Sequence, residues 1–160
     1  MEKINIIVVE DQQEVLQAIS KDLSVLEDAF IVEECLSASE ALEVMNDIDQ
    51  SGDYVALIIS DQVMPNKSGI EFLIDINKDV RFAGTRKMLL TGLATHQDTI
   101  EAINKASVDK YIAKPWTADE LLNNVKSLVT QFILDKGIDY TPYLEYLDKP
   151  LLFEKIRRTT

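Results

Sequence analysis

The segment Tyr54-Val-Ala-Leu-Ile-Ile-Ser-Asp-Gln-Val-Met-Pro65 begins with an apolar run at residues 55–59 and reaches the carboxylate of Asp61 directly afterwards. A short run rich in β-branched residues is typical of a strand that is buried on both faces of a sheet. Pro65 indicates a loop after the strand, because proline fixes φ. Asp61 is therefore predicted to lie at the end of a central strand, at the edge where open α/β sheets bind ligands. The alternative is a loop aspartate that only forms a turn or caps a helix.

Four other apolar runs predict strands at residues 4–9, 30–35, 87–90 and 110–113. Apolar residues at helical spacing predict amphipathic helices between and after the strands. These helices are expected at residues 12–27, from Ser37 or Ser39 to Asn46, from Ser68 to Ile76, at 98–106, and after a capping box formed by Thr117 and Glu120. The alternation predicts an α/β protein with a parallel sheet, helices on both faces and right-handed crossovers.

The composition is that of a soluble globular protein, with 160 residues of which 46% are hydrophobic and 28% charged. The formal net charge of −12 argues against direct binding of nucleic acid or an anionic membrane, because phosphate groups are bound by clustered lysine and arginine. It suits a partner with a basic face, or a site that gathers carboxylates around a cation. No signal peptide or membrane-spanning run is visible. A cytoplasmic location is expected, since a chain with a single cysteine, Cys35, cannot form an internal disulfide. Cys35 itself is expected to be a small buried hydrophobe.

Residues 135–160 follow the fifth helix and are expected to form a separate unit. Asp135-Lys-Gly137 ends that helix, Thr141-Pro142 starts a further helical segment, and Pro150 is expected to interrupt it. The predicted division is a domain at residues 1–134 and a helical tail, or the start of a linker, at 135–160. The tail either packs back on its own domain or forms an interaction surface for a second subunit or another protein.

Polar groups follow four of the predicted strands: Glu10 and Asp11 after the first, Asp61 after the third, Thr91 after the fourth and Lys114 after the fifth. The carboxyl ends of parallel strands meet at one edge of a sheet, so these groups are expected to converge. Three neighbouring carboxylates repel one another unless a cation lies between them, and oxygen ligands suit Mg²⁺. A lysine and a hydroxyl group opposite them suit a phosphoryl group, and an aspartate can be phosphorylated on its own carboxylate.

The motifs around these residues are Val-Val-Glu-Asp, Ile-Ile-Ser-Asp-x-x-Met-Pro with Ser68-Gly69, Leu-Leu-Thr-Gly, and Tyr-Ile-Ala-Lys-Pro-Trp. Through them, residues 3–129 resemble the receiver domain of bacterial two-component response regulators. The resemblance implies a three-layer, flavodoxin-like (βα)5 fold with a doubly wound parallel sheet in the strand order 2-1-3-4-5. A C-terminal helical extension is expected beyond that fold.

The resemblance also implies a role for each matching residue. Asp61 would be the phosphoacceptor, which takes a phosphoryl group from the phosphohistidine of a sensor histidine kinase or of a phosphotransfer protein. Mg²⁺ would be held by Glu10, Asp11, the Asp61 carboxylate and the backbone carbonyl of Val63. Such a chain is a signalling protein that catalyses only its own phosphorylation and dephosphorylation.

The remaining site residues would bind the phosphoryl group and transmit its arrival. Lys114 would pair with the phosphoryl oxygens, and Thr91 and the amide of Gly92 would donate hydrogen bonds to them. Thr91 would move inward while Tyr111 changes rotamer, and this switch would alter a protein–protein surface. Pro115 would follow a cis peptide bond.

Val63 and Leu93 are apolar at positions where polar side chains of the family help to place a hydrolytic water. We therefore expect a long-lived phosphorylated state; the alternative is that both residues are local packing choices. His96 is expected to be a solvated polar residue, and Trp116 is expected to cover the edge of the site.

The output of such a receiver stays open. No recognition helix, glycine-rich nucleotide loop or catalytic domain follows residue 135, and about 25 residues are too few for an independent domain. The chain either acts on a downstream effector protein, alone or as a homodimer, or is a receiver cut from a longer protein. Its Lys-Pro-Trp motif resembles receivers that are fused to cyclic-dinucleotide enzymes.

Three other functions fit the residues less well. An aspartate-nucleophile phosphatase usually has a second aspartate where this chain has Val63. A flavodoxin-like cofactor binder needs a phosphate-cradling loop after the first strand, and Glu10-Asp11-Gln12 would repel a phosphate there. A receiver that serves only as an unphosphorylated scaffold would not need the complete polar set.

Overall fold

The structure, a computed structural model, describes residues 1–92 and 97–159. Five parallel strands form one sheet in the order β2-β1-β3-β4-β5. The strands are β1 (Ile4–Val9), β2 (Ile31–Cys35), β3 (Tyr54–Asp61), β4 (Arg86–Thr91) and β5 (Lys110–Ala113). The α-helices are α1 (Gln13–Asp22), α2 (Ala38–Gln50), α3 (Gly69–Asn77), α4 (Gln97–Ala106), α5 (Ala118–Lys136) and α6 (Lys149–Thr159). The predicted α/β class, strand order and C-terminal helical extension are confirmed.

The central position of β3 explains its apolar sequence. It pairs with β1 on one side and β4 on the other, and every residue of β3 after Tyr54 is buried. All six residues of β1 are buried as well. The edge strands β2 and β5 are more exposed, and their sequences accordingly contain charged residues such as Glu34 and Lys110. The interior strands β1 and β3 are therefore the apolar runs that the sequence displays most clearly.

Two apolar cores lie on opposite faces of the sheet, which makes the fold a three-layer sandwich. One core combines residues of α1 and α5 with the C-terminal segment. The other core combines residues of α2, α3 and α4. Burial on both faces leaves the carboxyl edge of the sheet, where the strands run out into loops, as the place for polar side chains.

Two helices end at residues other than those predicted. The predicted helix 12–27 is divided, because α1 stops at Asp22 and a 3₁₀ helix follows at Ser24–Leu26. Leu23 and Leu26 are nonetheless fully buried, so the apolar spacing persists through a change of helix type. The helix predicted to end at Asn46 instead continues to Gln50, since Ile48 extends its buried side.

Two predicted helix caps are present. Ser37 caps α2, where its hydroxyl accepts the amide of Glu40 at 3.1 Å. The Thr117 hydroxyl accepts the amide of Glu120 at 3.1 Å, and α5 runs from there to Lys136. Gly137, with φ of 73°, then ends α5 in the left-handed conformation that glycine adopts without strain.

The C-terminal segment packs back on the core that contains α1 and α5. The ring of Tyr143 stacks on Phe30 with their centroids 5.5 Å apart. The amide of Asp148 donates to the hydroxyl of Thr130 on α5 at 2.9 Å. The expectation that Pro150 interrupts a helix is wrong. Pro150 lies in the first turn of α6, where its missing N–H costs no hydrogen bond.

The predicted division of the chain at residue 134 stays a prediction. Helix α5 crosses that position without a break. In the described residues 1–92 and 97–159, no helix combines the length and apolar character that crossing a membrane requires.

Replacing Tyr143 by Ala should destabilise the chain by about 3 kcal/mol, because it removes a buried aromatic ring from the core beside Phe30. The measurement is the free energy of unfolding from urea denaturation. Phe153→Ala is the matched control, and it should change that free energy by less than about 0.5 kcal/mol, since Phe153 is 58% exposed. Equal losses in the two variants would show that the segment does not pack as described.

Candidate phosphoacceptor and metal site

The strand register brings the predicted polar groups to one edge of the sheet. Asp61 is the last residue of β3 and lies opposite Leu90 of β4. Thr91 ends β4 and lies opposite Ala113, the residue before Lys114. On the other side of β3, Val9 lies opposite Ser60, so Glu10 follows its strand at the same level as Asp61.

Three carboxylates form a compact cluster at this edge. Glu10, Asp11 and Asp61 each offer an oxygen, and these three oxygens lie within 4.8 Å of one another. Glu10 is 1% exposed and Asp61 is 4% exposed, whereas Asp11 is half-buried. The sequence prediction that these side chains converge is therefore correct, and one open rim of the cluster remains accessible through Asp11.

Burial shifts the pKa of one member of this cluster, Glu10. It raises the pKa of Glu10 from 4.5 to about 7, since a carboxylate loses hydration there. The Gln12 amide, which donates to Glu10 Oε2 at 3.2 Å, lowers that pKa, while a hydrogen bond with Asp11 and the charge of Asp61 raise it. A divalent cation among the three carboxylates would remove the repulsion, so the donor set fits a hard metal ion.

Lys114 lies beside the aspartate of the cluster. Its Nζ is 2.5 Å from Asp61 Oδ1. No hydrogen-bond donor among the described residues is aligned with that buried oxygen, so the contact is an ion pair and Asp61 keeps its capacity to accept further ligands. The Lys114 amide donates to the carbonyl of Thr91 at 3.1 Å, and the Lys114–Pro115 bond is cis, as predicted.

The loop after Asp61 is fixed by contacts that sequence reasoning missed. The amide of Gly69 donates to the carbonyl of Gln62 at 3.0 Å, and the amide of Ile70 donates to Gln62 Oε1 at 2.9 Å. A Cβ on Gly69 would lie 2.2 Å from the carbonyl oxygen of Asp61, which no side chain could tolerate. Gly69 is therefore required for the close approach of α3 to the end of β3. The signal in the sequence was a glycine at the first position of a predicted helix.

The other predicted site residues differ in exposure. Thr91 is 1% exposed, whereas the side chains of Val63 and Tyr111 are 70% and 47% exposed. Gly92 directly follows Thr91 and is exposed. Trp116 is half-buried and packs against the core that contains α1 and α5. Leu93 and His96, for which the sequence made predictions, lie outside the described residues.

Two further buried residues, Cys35 on β2 and Lys87 on β4, lie elsewhere on the sheet. Cys35 is fully buried, as predicted, and burial raises the pKa of its thiol to about 12. Lys87 was not predicted to be buried, yet it is 3% exposed, and burial lowers the pKa of its ammonium group. Its Nζ lies 3.4 Å from Asn77 Oδ1 and 3.5 Å from the carbonyl of Thr85. Lys87 lies at the opposite end of β4 from Thr91 and takes no direct part in the site.

Comparison with known proteins identifies the family. The model of the response regulator receiver domain matches residues 6–126. The chain therefore belongs to the receiver domains of two-component response regulators, a family of signalling proteins, and the resemblance inferred from its motifs is confirmed.

Individual relatives agree with this assignment. The chain is 32% identical over 133 residues to the hydrogenase transcriptional regulatory protein HoxA of Bradyrhizobium diazoefficiens; the match covers 82% of this chain and 25% of that protein. It is 28% identical over 118 residues to the chemotaxis protein CheY1 of Helicobacter pylori, with 74% of this chain and 90% of that protein covered. The chain thus spans about a quarter of the length of HoxA but most of CheY1.

Solved structures share the fold. The signal receiver domain of an HD domain-containing protein from Pseudomonas fluorescens superposes with a TM-score of 0.72 and 25% identity, and the match covers 86% of this chain and 94% of that one. A CheY-like receiver domain protein from Methanospirillum hungatei gives a TM-score of 0.70 at 24% identity, with 84% and 99% covered.

The raised pKa of Glu10 predicts how stability depends on pH without divalent cations. The folded chain holds the Glu10 proton more tightly than the unfolded chain, so folding loses stability as the pH rises from 4.5 to about 7. The measurement is the free energy of unfolding across that range in a chelating buffer.

Glu10→Gln is the matched variant, because it keeps the shape and cannot ionise. The decline between the two pH values should be smaller in Glu10→Gln than in the natural chain, and Mg²⁺ should restore stability at the upper end in the natural chain only. Parallel curves of unfolding free energy against pH for the two proteins would contradict the raised pKa of Glu10.

Proposed function

We propose that this chain is the phosphoacceptor switch of a phosphorelay, in which Asp61 receives a phosphoryl group from a phosphohistidine of a sensor histidine kinase or phosphotransfer protein. The observation that carries the proposal is the buried Asp61 carboxylate, which has two other carboxylates within 4.8 Å and Lys114 Nζ at 2.5 Å. Carboxylates on one side and a single lysine on the other fit a phosphoryl group that is bridged by a cation. Membership in the receiver family supports the same role.

Mg²⁺ is the proposed cofactor. Glu10, Asp11 and the Asp61 carboxylate would hold it, together with the backbone carbonyl of Val63. When bound, it would neutralise negative charge on Asp61 and on the incoming phosphoryl oxygens. The chain's own residues would position the reactants: the carboxylates of Glu10 and Asp11 would orient the cation, and the sheet edge would hold Asp61 in position for attack.

The transfer step itself is a displacement at phosphorus. An oxygen of Asp61 forms a bond to the phosphorus atom while the bond to the histidine nitrogen breaks, and the electron pair of that bond stays on the imidazole of the partner. Lys114 exchanges its ion pair with Asp61 for one with the phosphoryl oxygens. Thr91 and the amide of Gly92 donate hydrogen bonds to the remaining oxygens.

The proposed output is a change of protein contacts. Thr91 is buried next to β5, and Tyr111 on β5 is 47% exposed. Phosphorylation would draw Thr91 towards Asp61 and allow Tyr111 to turn inward, which alters the surface that a downstream effector or a second copy of the chain contacts.

Light scattering with and without Mg²⁺ and fluoroberyllate would separate a phosphorylation-controlled dimer from a monomeric messenger.

The output domain would lie on another chain or in a longer form of this one, with cyclic-dinucleotide signalling as one option suggested by the Lys-Pro-Trp motif. Three relatives are named as transcriptional regulatory proteins or as a probable transcriptional regulator. The net charge of −12 nonetheless leads us to propose that the residues of this chain do not bind nucleic acid themselves. The proposed location is the cytoplasm, without attachment to a membrane.

Phosphoramidate should phosphorylate the chain, because it carries the same kind of phosphorus–nitrogen bond as a phosphohistidine. Intact-mass spectrometry should show the addition of one phosphoryl group in Mg²⁺ and none after chelation. Asp61→Asn should remain unmodified, whereas Asp75→Asn, which removes an exposed aspartate that pairs with Lys67 outside the site, should react like the natural chain. An adduct on Asp61→Asn would refute the proposal.

The phosphorylated state should decay over minutes or longer, because Val63 and Leu93 offer no polar group to place a hydrolytic water. Val63→Asn should accelerate the decay of the adduct, as followed by the release of inorganic phosphate. Val80→Asn makes the same change at a residue that is 88% exposed, outside the site, and should leave the rate unchanged. Decay within seconds in the natural chain would contradict the expectation.

A further inference from the structure

A groove between α2 and α3 lies outside the phosphoacceptor site. It has a volume of about 480 Å³. One wall is formed by α2, the other by α3, and the loop after Asp61 closes one end through Pro65 and Lys67. None of its lining residues takes part in the proposed phosphotransfer.

The groove is apolar at its base. Phe72 and Ile76 of α3 form the base, and each is 2% exposed. Leu42 of α2 stands at the rim and is 39% exposed, more than its neighbours on the buried side of the helix. Leu42 therefore offers an exposed apolar contact at the rim of the groove to a side chain that enters from outside.

The groove also contains an acceptor that lacks a donor. Asn46 lies one helical turn beyond Leu42 on the same wall, and its Oδ1 is buried without a hydrogen-bond partner among the described residues. An unsatisfied buried acceptor costs free energy, which a donor from an incoming ligand would recover. The groove therefore suits a ligand that has both an apolar side chain and a polar donor.

The charges around the groove indicate the sign of the partner. Helix α2 has four acidic residues and no basic residue: Glu40, Glu43, Asp47 and Asp49. The basic residues on the other side are already paired, Lys67 with Asp75 and Arg81 with Asp79. Asp49 also interacts electrostatically with Arg81, so the uncompensated negative charge on the α2 side comes from the other three acidic residues.

We propose that the groove between α2 and α3 is a docking site for a basic amphipathic helix of a partner protein, which inserts an apolar side chain beside Leu42 and places lysine or arginine against Glu43 and Asp47. Glu43 and Asp47 are exposed and each directly follows a groove-lining residue, Leu42 or Asn46, so they flank the apolar stripe of α2. Apolar anchors in a groove with charges at its rim are the usual features of helix recognition. The surface is separate from Asp61, so the inference stands without the proposed phosphotransfer.

The test uses a synthetic amphipathic peptide of about 15 residues, with leucines along one face and lysines beside them. A second peptide with every lysine replaced by glutamate is the control for charge. Binding to the full chain is measured by fluorescence anisotropy, and the contact surface is mapped by amide chemical shifts. The expected result is binding of the lysine peptide only, with shifts concentrated at residues 37–46 and 65–79.

Variants separate docking in the groove from attraction to an acidic protein. Leu42→Lys should weaken binding about tenfold, whereas Val25→Lys, at a residue that is 50% exposed on the opposite face of the sheet, should change it little. Neutralising Glu43 and Asp47 should weaken binding more than neutralising the exposed pair Glu27 and Asp28, and this comparison stands even if Leu42→Lys does not fold. Equal losses at the paired sites, shifts spread over the whole acidic surface, or no binding would overturn the proposal.

Discussion

Repulsion among the carboxylates of Glu10, Asp11 and Asp61 is the constraint on which the rest of the site depends. Two full charges within 4.8 Å of one another at a partly buried position repel by at least about 3 kcal/mol. Lys114 offsets part of this repulsion by pairing with Asp61, and burial, with smaller contributions from Asp11 and Asp61, raises the pKa of Glu10 to about 7. A bound cation would relieve the same repulsion, which is the physical ground for the proposed magnesium site.

The fold keeps these groups together because it leaves them little room to separate. β1 and β3 are buried between two apolar cores, so Glu10 and Asp61 extend from strands that cannot shift independently. Gly69 allows α3 to approach the carbonyl of Asp61, and Gln62 secures the loop between them. The C-terminal segment adds Tyr143 to the core that contains α1 and α5, beside the amino end of β1, whereas Glu10 follows the carboxyl end of that strand. The packing of the C-terminal segment and the chemistry at Asp61 therefore depend on different residues, so Tyr143 and Asp61 can be tested by separate variants.

Much of the fold and of the site could be predicted from local sequence. The runs at residues 4–9 and 55–59 are apolar because both strands are interior, and a polar residue after such a run marks the edge of the sheet. Gly69 was visible as a glycine at the start of a predicted helix, but its close approach to Asp61 and the hydrogen bonds of Gln62 could not be predicted, because both arise from how the loop between β3 and α3 folds back. The end of α1 at Asp22 was missed for a related reason: Leu23 and Leu26 keep helical spacing, and only tertiary packing shows that the helix type changes. The same limit applies to Lys87, whose burial cannot be inferred from the sequence of its own strand.

The measurement that tests the central claim most directly is a crystal structure of the chain with Mg²⁺ and fluoroberyllate, a stable mimic of an aspartyl phosphate. The account predicts beryllium bonded to a carboxylate oxygen of Asp61, the cation in contact with Glu10, Asp11 and Asp61, and a fluorine within hydrogen-bonding distance of Lys114. Fluoroberyllate at another residue, or a cation bound without Asp61, would contradict it.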